Sequence, residues 1–265
     1  MTSRSLPSAL ESYLTLPPPA SLILLTSTLA CSVNWLTTRF ISRALSQDEH
    51  GPEAEEQVSI LLVSWMRDLA FWKTDIRRGT GLDISKLSQA NQFAFIDCFS
   101  NPSITIADSE KRITEALSSL NQAADRKVLL VLDNPDILLA TASTTTLELN
   151  PLLLRLRSHV YSTIVTCSAD QPLVSSATGE SPSTPIEAET AAFVTAQAHA
   201  ARLVLSVREL DTGAAKDISG VLRITKGGEI YDLDEHEIDT KEAELLYLVQ
   251  RDGNAKVFSR GSDYS

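Results

Sequence analysis

One stretch constrains this chain more than any other: Lys127 to Asp136, KVLLVLDNPD. Val128 to Leu132 are apolar without a break, and Asp133 closes the run. No polar residue alternates through it, so a strand made from it has no side to give to water. Such a run fits a strand covered on both faces, as in a parallel sheet flanked by helices. An Asp at the carboxyl end of that strand stands where open α/β sheets bind ligands. The same Asp is also what an ordinary loop residue after a core strand looks like.

The rest of the chain alternates around this strand. Leu6 to Leu16 reads as a short helix or arm, ended by Pro17, Pro18 and Pro19, which cannot continue it. Further strands are expected at Ser21 to Thr26, Val58 to Val63, Phe93 to Cys98, Tyr161 to Cys167 and Arg202 to Val207. Helical spacing of apolar residues between them predicts helices at Val33 to Leu45, Trp65 to Arg78, Ile113 to Leu120, Leu147 to Arg157 and Glu187 to Ala200, with one more turn at Leu82 to Ala90. Pro151 is expected to limit or kink its helix. Gln47 to Gln57 reads as a surface loop, and Gln171 to Pro185, rich in Ser, Thr and Pro, as a mobile one. Val221 to Thr225, Leu245 to Gln250 and Ala255 to Ser259 read as short antiparallel strands, the last two a hairpin around Asp252-Gly253-Asn254. The predicted fold class is α/β: a mostly parallel sheet with helices on both faces and a C-terminal antiparallel β hairpin. Residues 1–19 form an arm, and 20–265 a single domain.

Charge and cysteine usage narrow the function classes. The net charge is -11, and phosphate binding relies on Lys and Arg, so strong unaided binding to nucleic acid is disfavoured. Cys31, Cys98 and Cys167 have neither zinc nor redox spacing, which fits a reduced intracellular setting. Ala20 to Cys31 mimics a signal core, but it follows three prolines and Glu11 spoils the basic start; no stretch is long enough to span a bilayer. His50, His159, His199 and His236 are scattered, and no metal ligand or catalytic residue is assigned. Asp232, Asp234, Glu235, Glu237 and Asp239 lack EF-hand spacing and read as a solvated connection.

A nucleotide site built on this sheet would need a P-loop after the first strand, G-x-x-x-x-G-K-[ST], whose glycines bring backbone N–H groups to the phosphates. That place holds Thr26-Ser27-Thr28-Leu29-Ala30-Cys31-Ser32, with no glycine before Gly51 and no lysine before Lys73. Only the free N–H groups at the following helix start remain to attract an anion weakly. The second strand ends in Ser64-Trp65; the nearest acid, Asp68, reads as a solvated helix residue beside Arg67. No cofactor is expected.

The order of elements resembles a RecA-type domain, carried by Gly81 to Leu87 (GLDISKL) and by Glu115-Ala116-Leu117 leading into the central strand. Val58 to Leu87, VSILLVSWMRDLAFWKTDIRRGTGLDISKL, with Val128 to Ala142, VLLVLDNPDILLATA, resembles the family of sixth Elongator subunits, of fungal type. The S-W-M-R-D-x-A-F-W-K segment is the most specific part. The resemblance covers Leu16 to Thr225. It implies a RecA-like domain without a working P-loop, a non-catalytic member of a ring of six built with the fourth and fifth Elongator subunits. That ring assists tRNA wobble-uridine modification, whose chemistry lies in another subunit. It also implies contact with the remaining Elongator subunits and with tRNA through the ring, and a cytoplasmic and nuclear location. A divergent RecA-type ATPase and a DNA-binding recombination paralogue are the alternatives.

In RecA-type rings the loops after the fourth and fifth strands often face the pore. Here Asn134 to Leu149 and Ala169 to Glu189 contain no Lys or Arg, and the second carries Glu180, Glu187 and Glu189. By charge this is a poor tRNA surface, so partners are expected to hold the tRNA. Arg67, Lys73, Arg77 and Arg78, beside Trp65, Phe71 and Trp72, are the candidate interface or tRNA contacts; a solvated basic helix face is the plain alternative.

Overall fold

The computed structural model describes residues 8–46, 57–101, 105–122, 126–178, 183–213, 215–229 and 241–259. The Gln47 to Gln57 loop (save Gln57), the acidic run 232–239, Glu180, His50 and His236 lie outside the described residues.

The central strand is where its composition puts it. β4 (Lys127–Asp133) is buried along its length and lies between β2 (Val58–Ser64) and β5 (Ser162–Ser168), parallel to both. β3 (Phe93–Asp97) forms one edge, beside β2. β1 (Leu22–Ser27) follows β5, and β6 (Leu203–Arg208) follows β1. Beyond β6 the direction alternates through β7 (Gly220–Lys226), β8 (Ala243–Val249) and β9 (Ala255–Ser259). The sheet order is β3-β2-β4-β5-β1-β6-β7-β8-β9. The expected α/β class stands, and the C-terminal hairpin is the outer part of a four-strand antiparallel extension.

Helices cover both faces. α1 (Asn34–Ser46), α2 (Leu69–Thr80) and α3 (Ile84–Gln89) share one core with Ile60, Leu129, Val131 and the antiparallel strands. α4 (Ile106–Gln122), α5 (Ile137–Ala140), α6 (Thr146–Arg157), α7 (Gln171–Val174) and α8 (Pro185–Ala200) complete the helices; α4, α6 and α8 cover the other face over Leu61, Leu130 and Val165. Alternate residues of β4 feed alternate cores, because side chains on a strand point to opposite faces in turn. Leu10 and Leu14, before the three prolines, are fully buried in the first core.

Three local expectations are revised. The helix after β2 begins at Leu69, not Trp65, because Asp68 is its N-cap and accepts from the Phe71 N–H at 2.8 Å. Trp65 and Trp72 consequently enter opposite cores. Pro151 neither starts nor ends α6: Glu148 reaches back to the Thr145 N–H at 3.3 Å, so the helix is capped a full turn before the proline. Gln171 to Thr178 forms α7 and a 3-10 turn rather than an open loop; Pro172 sits where a first helical turn tolerates a missing N–H.

Candidate functional site

The carboxyl ends of β1, β2, β4 and β5 converge on one edge of the sheet, where ligands bind in open α/β folds. Register brings Ser64, Asp133 and Thr166 side by side: Ser64 is opposite Asp133, and Asp133 is opposite Thr166. Asp133 is fully buried, and its carboxylate is surrounded by donors from its own chain. The Ser64 hydroxyl donates to Oδ2 at 2.7 Å and the Thr166 hydroxyl to Oδ1 at 3.1 Å. Arg67 Nη1 donates to Oδ1 at 3.1 Å and to Oδ2 at 3.2 Å. It also reaches Asn134 Oδ1 at 3.2 Å, and the guanidinium carbon Cζ lies 5.3 Å from the Phe71 ring centre. The guanidinium thus stands where a strand-end carboxylate would hold a cation. Burial pushes the Asp133 carboxyl above its ordinary range, and the Arg67 charge and the two hydroxyls pull it back.

The turn after β4 completes this network. Asn134 takes a left-handed conformation, φ 53°, which Asn tolerates better than most residues. Its N–H donates to the Thr166 hydroxyl at 3.0 Å and its amide to Asp136 Oδ1 at 3.3 Å. Asp136 Oδ2 accepts from the Ser168 N–H at 3.0 Å. Burial raises the Asp136 carboxyl to about 6.

In the segment between β1 and α1, three backbone N–H groups are taken up by the chain. The Leu29 N–H donates to Asp170 Oδ1 at 2.8 Å, the Cys31 N–H to the Thr28 carbonyl at 2.9 Å, and the Asn34 N–H to Ser32 Oγ at 3.2 Å. In a phosphate-binding loop, backbone N–H groups of this connection point at the anion. Here a carboxylate of the β5–α7 turn takes one of them and the chain takes two more. Thr26 spends its hydroxyl on Ser206 at 2.8 Å. The residues present do not fit a bound magnesium nucleotide: the cation's place has Arg67, and an anion approaching Leu29 meets Asp170. Among the described residues no group of three His, Cys, Asp or Glu could hold a metal ion.

No protein-family model matches the chain, and no curated protein does. Among solved structures, it is similar to a KaiC-like protein from the hyperthermophilic archaeon Pyrococcus horikoshii OT3, at 17% identity over 97% of both chains, with a TM-score of 0.59. The fold is RecA-like. Membership of a particular family does not follow from that likeness.

The four basic residues named from sequence stand in different surroundings. Arg67 is turned inward onto Asp133, its side chain 19% exposed. Arg78 pairs with Asp75 at 2.8 Å. Lys73 and Arg77 stand exposed on the outer face of α2. Two of the acids named from sequence, Glu187 and Glu189, lie in the first turns of α8 and have structural partners: Glu187 accepts from the Thr184 N–H at 2.6 Å and Glu189 from the Thr146 N–H at 2.6 Å. These donors hold both carboxyls below their ordinary range. Sequence reasoning missed Asp170, Ser64 and Thr166. The only available signal was that Ser64 and Thr166 are polar residues at the ends of apolar runs.

Proposed function

We propose that this chain is a non-catalytic RecA-like subunit of an Elongator-type hetero-hexameric ring, assembled with the fourth and fifth Elongator subunits and assisting tRNA wobble-uridine modification. One observation carries the non-catalytic part: Arg67 neutralises Asp133 from within the chain. A catalytic site leaves its strand-end carboxylate open to a metal that bridges phosphates, and this carboxylate is closed. The ring and the Elongator partners rest on the sequence resemblance of Val58 to Leu87 and Val128 to Ala142. The loop after β5 supports tRNA contact through partners, since it has no Lys or Arg and its described acids are held as helix caps and interhelical links. This reading places the chain in the cytoplasm, with the nucleus as a further compartment.

The test is co-expression with the fourth and fifth Elongator subunits, followed by mass measurement of the purified species. Two copies of each chain are expected. A chain that stays alone while the other two fold would refute the assignment. Magnesium ATP added to the isolated chain is expected to leave its melting temperature unchanged; a rise of several degrees would instead favour a divergent ATPase.

A further inference from the structure

The outer face of α2 and the link into α3 enclose a groove of about 440 Å³, lined by Lys73, Arg77, Arg78, Leu82, Asp83 and Ile84 among others. Trp72, Ile76 and Gly79 face the core, which turns Lys73 and Arg77 outward, one helical turn apart. Among the described residues neither side chain makes a hydrogen bond or ion pair. Two like charges at this spacing repel each other on a helix. The one acid within α2, Asp75, is engaged by Arg78 instead. An excess of acids runs through the rest of the chain, whose net charge is -11, so an unneutralised cationic pair is an exception to its surroundings. The floor below it is apolar: Ile84 is buried and Leu82 half-buried, held there because Gly81 stops α2 in a left-handed turn, φ 83°.

We propose that this groove docks an acidic segment with an aliphatic anchor, contributed by one of the partner subunits of the ring; this rests on the assembly proposed above. Carboxylates of that segment bridge Lys73 and Arg77, and its aliphatic side chain covers Leu82. Charge complementarity selects an acidic partner. One feature argues against RNA as the occupant. Single-stranded RNA gains affinity by stacking bases on aromatic faces, and the groove has no aromatic lining; the nearest exposed ring, Phe71, lies against the Arg67 guanidinium.

The test uses the full chain co-expressed with the fourth and fifth Elongator subunits. A water-soluble carbodiimide, which activates a carboxylate so that a lysine amine displaces the leaving urea and forms an amide, is applied to the assembly. Mass spectrometry is expected to find Lys73 joined to an Asp or Glu of a partner subunit, and acetylation of Lys73 by acetic anhydride to fall at least five-fold on assembly. The double variant Lys73→Glu with Arg77→Glu is expected to melt within 2 °C or so of the parent, since both side chains are exposed, and to bind its partners at least ten-fold more weakly. An assembly that forms normally with the double variant, with Lys73 equally reactive free and assembled, overturns the docking site and leaves the ring assignment standing. Intact assembly with lowered RNA affinity makes RNA the occupant and overturns it too. Failure of the unaltered chain to assemble overturns both.

Discussion

Replacing Arg67 with Met isolates the interaction that closes the site. Met keeps much of the side-chain length and removes the charge. Arg67 Nη1 sits 3.1 and 3.2 Å from the two carboxylate oxygens of a residue with no solvent exposure. With the charge centres about 4 Å apart and an effective dielectric near 20, the attraction is about 4 kcal/mol. Breaking one partner of a buried pair costs about 3–5 kcal/mol, because the other charge is stranded. Arg67→Met is therefore expected to lose about 4 kcal/mol in urea unfolding at pH 7, a fall in melting temperature on the order of 10 °C. Combining it with Asp133→Asn removes the stranded charge, and the double variant is expected to recover to within about 2 kcal/mol of the parent. The penalty of the single variant is also expected to shrink on acidification, because burial already favours the protonated Asp133 carboxyl and the loss of Arg67 favours it further. A single variant that loses less than about 1 kcal/mol at pH 7, with no dependence on pH, would refute the closed-site argument.

Asp136, raised to about 6 by burial, binds its proton more tightly in the folded than in the unfolded chain. Its contribution to stability is full below the usual carboxyl range and is lost as pH rises through 6, so unfolding free energy relative to Asp136→Asn should grow by about 2.4 kcal/mol from pH 7 to pH 4; a carboxyl carbon resonance titrating below 4.5 would rule this out. Asp170→Ala removes the acceptor of the Leu29 N–H, so amide exchange at Leu29 should quicken while the remaining amides of β1 hold their rates; unchanged exchange at Leu29 would remove Asp170 from the loop. A methyl group at Gly227 would meet the Ala201 backbone within 2.6 Å, so Gly227→Ala is expected to cost about 2–3 kcal/mol, and an unfolding midpoint equal to the parent's would refute the close approach of the residue after β7 to the C-terminal end of α8. Thr184→Ala removes the side chain that caps α8 and should cost about 1 kcal/mol, read by denaturant unfolding; no loss would mean that Glu187 alone holds the helix start.

The sheet was legible because its strands are either unbroken apolar runs or short alternating ones, and neither pattern depends on distant partners. β4 and β2 declare their burial on both faces in sequence. The absence of a phosphate loop was equally plain, since missing glycine and lysine need no geometry to be noticed. What fills the absence was not legible. Arg67 and Asp133 are 66 positions apart, and Leu29 and Asp170 are 141 apart. Only the parallel register of β2, β4 and β5 brings the first pair together, and the β1–β5 pairing the second. Arg67 consequently read as one cation of a basic helix. The true helix start, Leu69, places it in the turn before α2, aimed along the strand ends. Misplacing that start by four residues was enough to turn an internal cation into a surface one.

The two closures have a joint consequence for the energetics of the domain. A RecA-like sheet that binds nucleotide carries an unpaid carboxylate and unbonded loop N–H groups when empty, and ligand binding stabilises it through that unmet demand. A ligand present at a hundred times its dissociation constant adds about 2.7 kcal/mol. Here Ser64, Thr166 and Arg67 satisfy the carboxylate, while Asp170, the Thr28 carbonyl and Ser32 Oγ take the Leu29, Cys31 and Asn34 N–H groups of the loop. Nucleotide would have to displace an ion pair and bring its phosphates against Asp170 before gaining a contact. Removing Asp170 alone leaves Arg67 in place, and removing Arg67 alone leaves a carboxylate facing the phosphates. On the proposed reading, neither single variant gains stabilisation from magnesium ATP. Stabilisation of Asp170→Ala by more than about 1 kcal/mol in millimolar magnesium ATP would show that the carboxylate of the β5–α7 turn was the sole barrier, and would return this chain to the nucleotide-binding members of its fold.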